Sequence, residues 1–365
     1  MHTQQYEIRI CKQSEYDKLI RFLKEHWNKD HIFVKSKAML DFQHLDSQNS
    51  LYNFIVAHNA NTQEFDAILG FIPLSHYDEN LHHNDFWLAI WKVKEESKKS
   101  GIGLGVLLYF INTFNPRSVA AIGTSAIAER VYKAYRWHID ALRHFYIKNT
   151  RKECFSIATF ISEVQESKRV SQPSINFCEI TDLDTLTDLL CTYTPTKSLE
   201  FFKNRYMHHP IYTYKIYGIF DTNTQKCLAL FVFRAVFVEN ACCLRIVDYL
   251  GEFVPHCYES FQNLLESYNA EYIDMLCYTP NTQQILQMGF TQKQENEVVP
   301  NYFEPFVKDN VEIRFAYKSA GESYVIFKGD SDQDRPAYLM GQIGGGVSNN
   351  ETLYKLSSIN VPRCA

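Results

Sequence analysis

Three glycines at alternate positions, in Lys98-Lys99-Ser100-Gly101-Ile102-Gly103-Leu104-Gly105, join an apolar run of strand character to an apolar run of helix character. Glycine lets the backbone curl so that successive N–H groups point into one hollow. The helix that follows adds the unsatisfied amides and positive dipole end of its first turn. Such a junction suits a pyrophosphate, so a phosphorylated cofactor is the expected ligand. ATP bound through a P-loop would need G-x-x-x-x-G-K-S/T, which does not occur in the sequence. A dinucleotide loop needs G-x-G-x-x-G and an acidic residue about 20 residues further on, closing the next strand. Here the third glycine comes one residue early, and the next strand candidate runs into Gly123-Thr124-Ser125. NAD is therefore the weaker alternative.

The segment does fit Q/R-x-x-G-x-G/A, with Lys98, Gly101 and Gly103 at the three marked positions. Upstream, Phe54 to His58 and Ala67 to Ile72 read as a hairpin with a polar turn, and Phe86 to Trp91 as a third strand. Downstream, Val119 to Gly123 reads as a fourth strand, followed by Ser125-x-x-Ala128-x-x-x-Tyr132-x-x-x-Arg136-Trp137. On these residues, within about the first 150, the chain resembles the GNAT family of acyl-CoA-dependent N-acetyltransferases. The family's run at the last segment is N-x-x-A-x-x-x-Y-x-x-x-G-F. Ala128 and Tyr132 fall in register, whereas Ser125, Arg136 and Trp137 replace asparagine, glycine and phenylalanine.

The resemblance implies acetyl-CoA as co-substrate. Its expected contacts are Trp91, Val93, Lys98, Lys99, Ser100, Gly101, Ile102, Gly103, Leu104, Gly105, Ser125 and Ala128. In this chemistry an amine attacks a thioester, an oxyanion develops and a thiolate leaves, so a base, an oxyanion donor and an acid are required. Tyr132 is the expected acid, and a backbone amide near Trp91 to Val93 the expected oxyanion donor. Asp85 and His83, just ahead of the third strand, are the candidate bases. Glu95 and Glu96 are expected to face solvent.

At 365 residues the chain has room for two domains. A polar stretch at 161–174 reads as a linker between a unit at 1–160 and another at 175–340, with a glycine- and asparagine-rich tail at 341–365. Beyond the linker come a helix candidate, Asp182 to Thr192, and strand candidates at Tyr214 to Phe220, Cys227 to Phe237 and Cys242 to Tyr249. A helix from Tyr258 to Tyr268, a strand from Tyr272 to Cys277 and a short segment ending in Gly289-Phe290 complete the half. This order repeats the first half and resembles a second GNAT-like unit. The expected fold class is α/β (α+β): two lobes, each a mixed, mostly antiparallel sheet flanked by helices. The second junction, Asp248-Tyr249-Leu250-Gly251-Glu252-Phe253-Val254-Pro255, has one glycine, two carboxylates and a proline, and is unsuited to pyrophosphate. The second unit is thus expected to be degenerate and to shape the acceptor site.

Net charge of −5 gives no basic field, so nucleic acid is not expected as a partner. Met1 to Asp17 lacks a signal pattern and the longest apolar runs fall short of a membrane span, which leads to the expectation of a cytoplasmic protein without membrane insertion. Ten cysteines without any C-x-x-C, and the pairs His82-His83 and His208-His209 without helical i, i+4 spacing, argue for reduced thiols and no metal. Monomer and homodimer both stay open.

Two further segments stand out. Pro300 to Phe306 sets aromatics between prolines, and Lys328-Gly329-Asp330-Ser331-Asp332-Gln333-Asp334-Arg335-Pro336 is dense in carboxylates. The latter starts like a calcium loop but has Arg335 at its sixth position and Gly341 at its twelfth, where glycine and glutamate are needed. It suits sugar hydroxyls, an amine or an ion-paired turn. By analogy with two-lobed members of surface-polysaccharide pathways, the expected acceptor is a small polar amine, specifically a nucleotide-linked amino sugar. The alternatives are a non-catalytic acyl-CoA sensor or scaffold, and an aminoacyl transferase of the tandem-lobe cell-wall type. The latter uses aminoacyl-tRNA, for which the glycine loop is unnecessary.

Overall fold

A computed structural model describes residues 6–161, 174–186, 189–303, 306–321 and 323–334. Most of the expected linker, the tail at 341–365, and Arg335 and Gly341 of the calcium-like run lie outside the described residues. The first half runs β1 (Tyr6–Lys12), α1 (Tyr16–Phe22), α2 (Ile32–Lys35), α3 (Lys37–His44), β2 (Leu45–Asp46), β3 (Leu51–Asn59), β4 (Phe65–Pro73) and β5 (Asp85–Val93). It continues with α4 (Ile102–Phe114), β6 (Ser118–Ile122), α5 (Ala126–Ala134), β7 (His138–Ala141) and β8 (Arg143–Lys148). The second half runs β9 (Ile175–Glu179), α6 (Leu199–Phe202), β10 (Lys215–Asp221), β11 (Lys226–Val238), β12 (Ala241–Gly251), α7 (Tyr258–Ser267), β13 (Tyr272–Tyr278), α8 (Thr282–Gln287) and β14 (Thr291–Gln292). A small ribbon of β15 (Tyr302–Phe303) and β16 (Phe306–Val307), then β17 (Arg314–Ser319) and β18 (Ile326–Phe327), close the chain.

Two sheets result, and their orders match strand for strand. The first is β1-β3-β4-β5-β6-β17-β7 and the second β9-β10-β11-β12-β13-β8-β14. Each lobe therefore borrows its sixth position from the other half of the chain. β17 lies antiparallel between β6 and β7, and β8 lies antiparallel between β13 and β14. This exchange crosses the division expected at 161–174, since residues 143–148 serve the second sheet and 314–319 the first. All other pairings within each sheet are antiparallel except β5 with β6 and β12 with β13.

Local sequence accounts for the helices that position the site. In α4 the buried side chains Ile102, Val106, Leu107 and Phe110 recur at helical spacing and face the first sheet. Phe110 packs on Phe71 and Phe86 with ring centroids 5.4 and 5.2 Å apart, each such burial contributing about 1.5–3 kcal/mol. The helix stops where Asn115 turns left-handed (φ +42°) ahead of Pro116. The helix expected from Asp182 to Thr192 is a single 3-10 turn, Leu183–Thr185, with Leu186 already extended. Asp182 explains the difference: its side chain accepts from the Asp184 amide and its carbonyl from the Thr185 hydroxyl, so local bonds replace helical ones.

Thiols of Cys11, Cys154, Cys191, Cys227, Cys242, Cys243, Cys257 and Cys277 are free. Cys178 is disulfide-bonded, an exception to the expectation of reduced thiols. Among the described residues no helix is long and apolar enough to cross a membrane.

Candidate functional site

The first sheet opens at one end. β5 pairs with β6 only from Asp85 opposite Ser118 to Leu88 opposite Ala121, while its pairing with β4 continues to Val93 opposite Ala67. Past Leu88 the two parallel strands diverge. At that point β5 carries a bulge: Leu69 faces Trp91 and Phe71 faces Leu88, so Ala89 and Ile90 stand against Gly70 alone. A bulge frees a backbone group from the ladder, here where β5 parts from β6.

The glycine run lies at the same end. Glu95–Ser100 forms a 3-10 segment, Gly101 turns left-handed (φ +80°), and α4 begins. A Cβ on Gly101 would have nothing within 4 Å, so the turn is open to its surroundings. Ser100 Oγ accepts from the Ile102 amide at 3.4 Å, and the Gly105 amide closes the first turn on the Gly101 carbonyl at 3.0 Å. Gly103 and Leu104 supply the remaining first-turn amides, which have no carbonyl four residues back within the helix. Trp91 Nε1 donates to the Gly103 carbonyl at 3.2 Å and ties the bulged strand to the turn. A Cβ on Gly103 would sit 2.8 Å from a Val93 methyl, which is why this position is glycine. These features fit a pyrophosphate-bearing cofactor.

Tyr132 reaches the same place from α5. Ser125 caps that helix, its Oγ accepting from the Ala128 amide at 3.3 Å. The Tyr132 ring stacks on Trp137 at 4.5 Å and lies 5.6 Å from Trp91. Burial pushes its phenol well above the ordinary tyrosine value.

A strap of chain from β18 onward threads both lobes. β18 pairs with β13, and the Gly329 amide bonds the Val247 carbonyl at 2.7 Å. The strap then enters the first sheet's gap: Ser331 Oγ donates to the Leu88 carbonyl at 2.8 Å and Gln333 Nε2 to the Ile122 carbonyl at 3.2 Å. Gly329 is held by the fit, since a Cβ would lie 2.5 Å from the Val247 carbonyl oxygen. Arg205 fastens the strap through the carbonyls of Gly329 and Ser331, and Asp330 pairs with buried Lys197 at 2.7 Å.

Where the strap meets the second lobe there is a cavity of about 280 Å³. Arg234 and Arg245 from β11 and β12, Asn301 and Tyr302, and Lys328, Asp332 and Asp334 of the strap contribute to its wall, with Gly123 from the first lobe. Asp334 accepts from Tyr214 at 2.7 Å and pairs with Arg234 at 3.5 Å. Described residues of both segments singled out in the sequence, 301–303 of the first and 328 and 332–334 of the second, thus meet at one cavity.

Comparison with solved structures reports a GCN5-related N-acetyltransferase from Anabaena variabilis ATCC 29413, with a TM-score of 0.51, 11% identity, and 87% of this chain and 73% of that chain covered. It also reports a conserved protein of unknown function from Enterococcus faecalis V583, described as a probable N-acyltransferase, with a TM-score of 0.53, 7% identity, and 86% and 72% covered. The fold is the GNAT fold in two lobes. No family model and no curated protein matches the sequence.

Against this GNAT frame, Trp91, Val93, Gly101, Ile102, Gly103, Leu104, Gly105 and Tyr132 gather at the open end of the first lobe. Ser125 and Ala128 form the start of α5. Lys98 and Lys99 are exposed at the rim, and Lys98 pairs with Glu95 at 2.6 Å. Asp85 and His83 are not brought there. Asp85 begins β5 at the far end, buried and bonded by Arg117 and by Ser118 Oγ at 2.8 Å; His83 lies exposed on the preceding turn. The second lobe repeats the gap, since β12 pairs with β13 only over Leu244 to Ile246, but Asp248 at its edge is consumed by Lys197 and Tyr206. Sequence reading missed Arg234 and Arg245. Their signal was present: single arginines inside the apolar runs of β11 and β12.

Proposed function

We propose that the protein is an acyl-CoA-dependent N-acyltransferase that uses acetyl-CoA and acylates a small polar amine. The observation that carries the reading is the coincidence, at one end of the first sheet, of the β5 bulge, the β5–β6 gap and the glycine-started helix α4. The first-turn amides of α4 and the positive φ of Gly101 suit the pyrophosphate, with Lys99 adding charge at the rim. Acetyl-CoA, when bound, supplies an activated thioester. An amide freed at the β5 bulge is the oxyanion donor, and Tyr132 holds a proton at its phenol oxygen for the departing sulfur. The carboxylates of Asp332 and Asp334 replace Asp85 and His83 as the groups nearest the acceptor.

The amine enters, on this reading, from the strap face, through the cavity on the second lobe. Its mixture of carboxylates, cationic groups and aromatic rings suits an amino sugar carried on a nucleotide better than an apolar amine. The test is calorimetric titration with acetyl-CoA of the parent and of Leu104→Glu, followed by CoA release with a panel of amino sugars. Leu104 is exposed in the first turn, so glutamate there adds charge with little packing cost. Binding by the parent and not the variant supports the site. Absence of binding by the parent to acetyl-CoA and to free CoA overturns the reading.

A further inference from the structure

Lys328 is buried, lines the cavity, and spends its ammonium end on one hydrogen bond, to the Asn301 carbonyl oxygen at 2.7 Å. Among the described residues no carboxylate pairs with it. Its charged neighbours are two arginines and the carboxylates that pair with them. Arg245, 2% exposed, gives two bonds to Asp274 at 3.1 and 2.6 Å and two more to the carbonyls of Pro300 and Asn301. Arg234 pairs with Asp334 and lies 3.3 Å over the Tyr212 ring. A second group in the same wall is also unfinished: Asn301, 2% exposed, donates through Nδ2 to Val311, while its Oδ1 has no hydrogen-bond partner. A buried ammonium that no carboxylate touches, because Asp274 and Asp334 are spent on the arginines, and an amide oxygen without a donor, on one cavity, describe a ligand by its complement.

We propose that this cavity is an anion site: Lys328, in the field of Arg234 and Arg245, receives a phosphate or carboxylate carried by the acceptor, and Asn301 Oδ1 accepts one of its N–H or O–H hydrogens. The acceptor is then an acidic amine rather than a purely cationic one. This rests on the reading of the cavity as the acceptor site.

Burial, the Arg245 charge and the other charges around it together lower the Lys328 amine to about 7. Arg234 acts in the same direction as Arg245, while Asp334 on the strap and Asp274 on β13 oppose them; Asp332 and Tyr302 complete the surroundings. An anion seated beside Lys328 favours its protonated form, so binding above neutral pH takes up a proton. The proton count is a signature that a structural lysine would not give.

The experiment is calorimetry with inorganic pyrophosphate on Leu104→Glu protein, in which the α4 cradle is blocked, at pH 8 in two buffers of different ionisation enthalpy. Expected are binding with proton uptake, a loss of about tenfold or more in affinity when Lys328→Met is added, and retained affinity without uptake for Lys328→Arg. Circular dichroism confirms folding, and should Lys328→Met fail to fold, the Lys328→Arg proton count decides. Succinate in parallel separates carboxylate from phosphate recognition. Binding of neither anion, or pyrophosphate binding equal in Lys328→Met, overturns the proposal. Acetyl-CoA binding by the parent is read separately, so failure here and failure of the acyltransfer reading are distinguishable.

Discussion

Ser331 donates its hydroxyl to the carbonyl oxygen of Leu88 across 243 residues of sequence, at 2.8 Å. Leu88 is the last residue of β5 paired with β6, so the bond sits at the apex of the gap where the first lobe opens. One contact thereby links the strap, anchored on the second lobe, to the strand expected to orient the cofactor.

Removing that hydroxyl leaves a buried carbonyl without its donor, which costs about 1–3 kcal/mol. Ser331→Ala is therefore expected to lower the urea midpoint by an amount in that range with an unchanged m-value. An unchanged midpoint would show that the strap does not brace the gap.

The exchanged strands make a second expectation sharp. β17 contributes two ladders to the first sheet, to β6 and to β7, so a fragment of residues 1–161 lacks an interior strand and leaves both edges unpaired. The fragment is expected to show poor chemical-shift dispersion and to gain order when residues 174–334 are supplied in trans. A well-dispersed spectrum from the fragment alone would contradict the exchange as a requirement for folding.

The exchange also marks where sequence reading stopped. Many element types were legible because apolar runs, turn residues and the glycine punctuation at Gly101 act locally; the strands expected at 54–58, 67–72, 86–91, 227–237 and 242–249 lie within β3, β4, β5, β11 and β12. Partner choice is not local. β8 directly follows β7 in the chain, and nothing in Arg143 to Lys148 says that it leaves to lie against β13. Arg314 to Ser319 carries no motif that assigns it to the first sheet. The proposed site divides in the same way: the glycine junction was legible from spacing and Tyr132 from the resemblance to the GNAT family, whereas the cavity depends on Arg234, Arg245, Asn301 and Lys328 arriving from four segments.

Tyr132→Phe removes only the phenol oxygen from a ring already held by Trp91 and Trp137. Turnover is expected to fall by about 100-fold or more, with acetyl-CoA affinity unchanged by calorimetry. Asp85→Asn makes the contrasting case, with loss of stability through Arg117 and Ser118 but little loss of turnover. Equal turnover in parent and Tyr132→Phe would leave the tyrosine a packing residue, and no turnover in either would favour a sensor or scaffold.

Lys328 gives the pH dependence. Its folded value of about 7 lies below the ordinary 10.5, so between these limits the unfolded chain binds more protons at this position than the folded one. Stability contributed by this group therefore rises with pH through that window, by up to about 1.4 kcal/mol per unit. Below pH 7 both states are protonated and the slope vanishes. Lys328→Met removes this titration, so the stability of the parent minus that of the variant should be flat from pH 5 to 6 and climb from pH 7 to 9. Urea unfolding of both proteins across this range measures it, and a difference that stays level to pH 9 would show that Lys328 remains charged in the folded protein, its counter-ion already supplied.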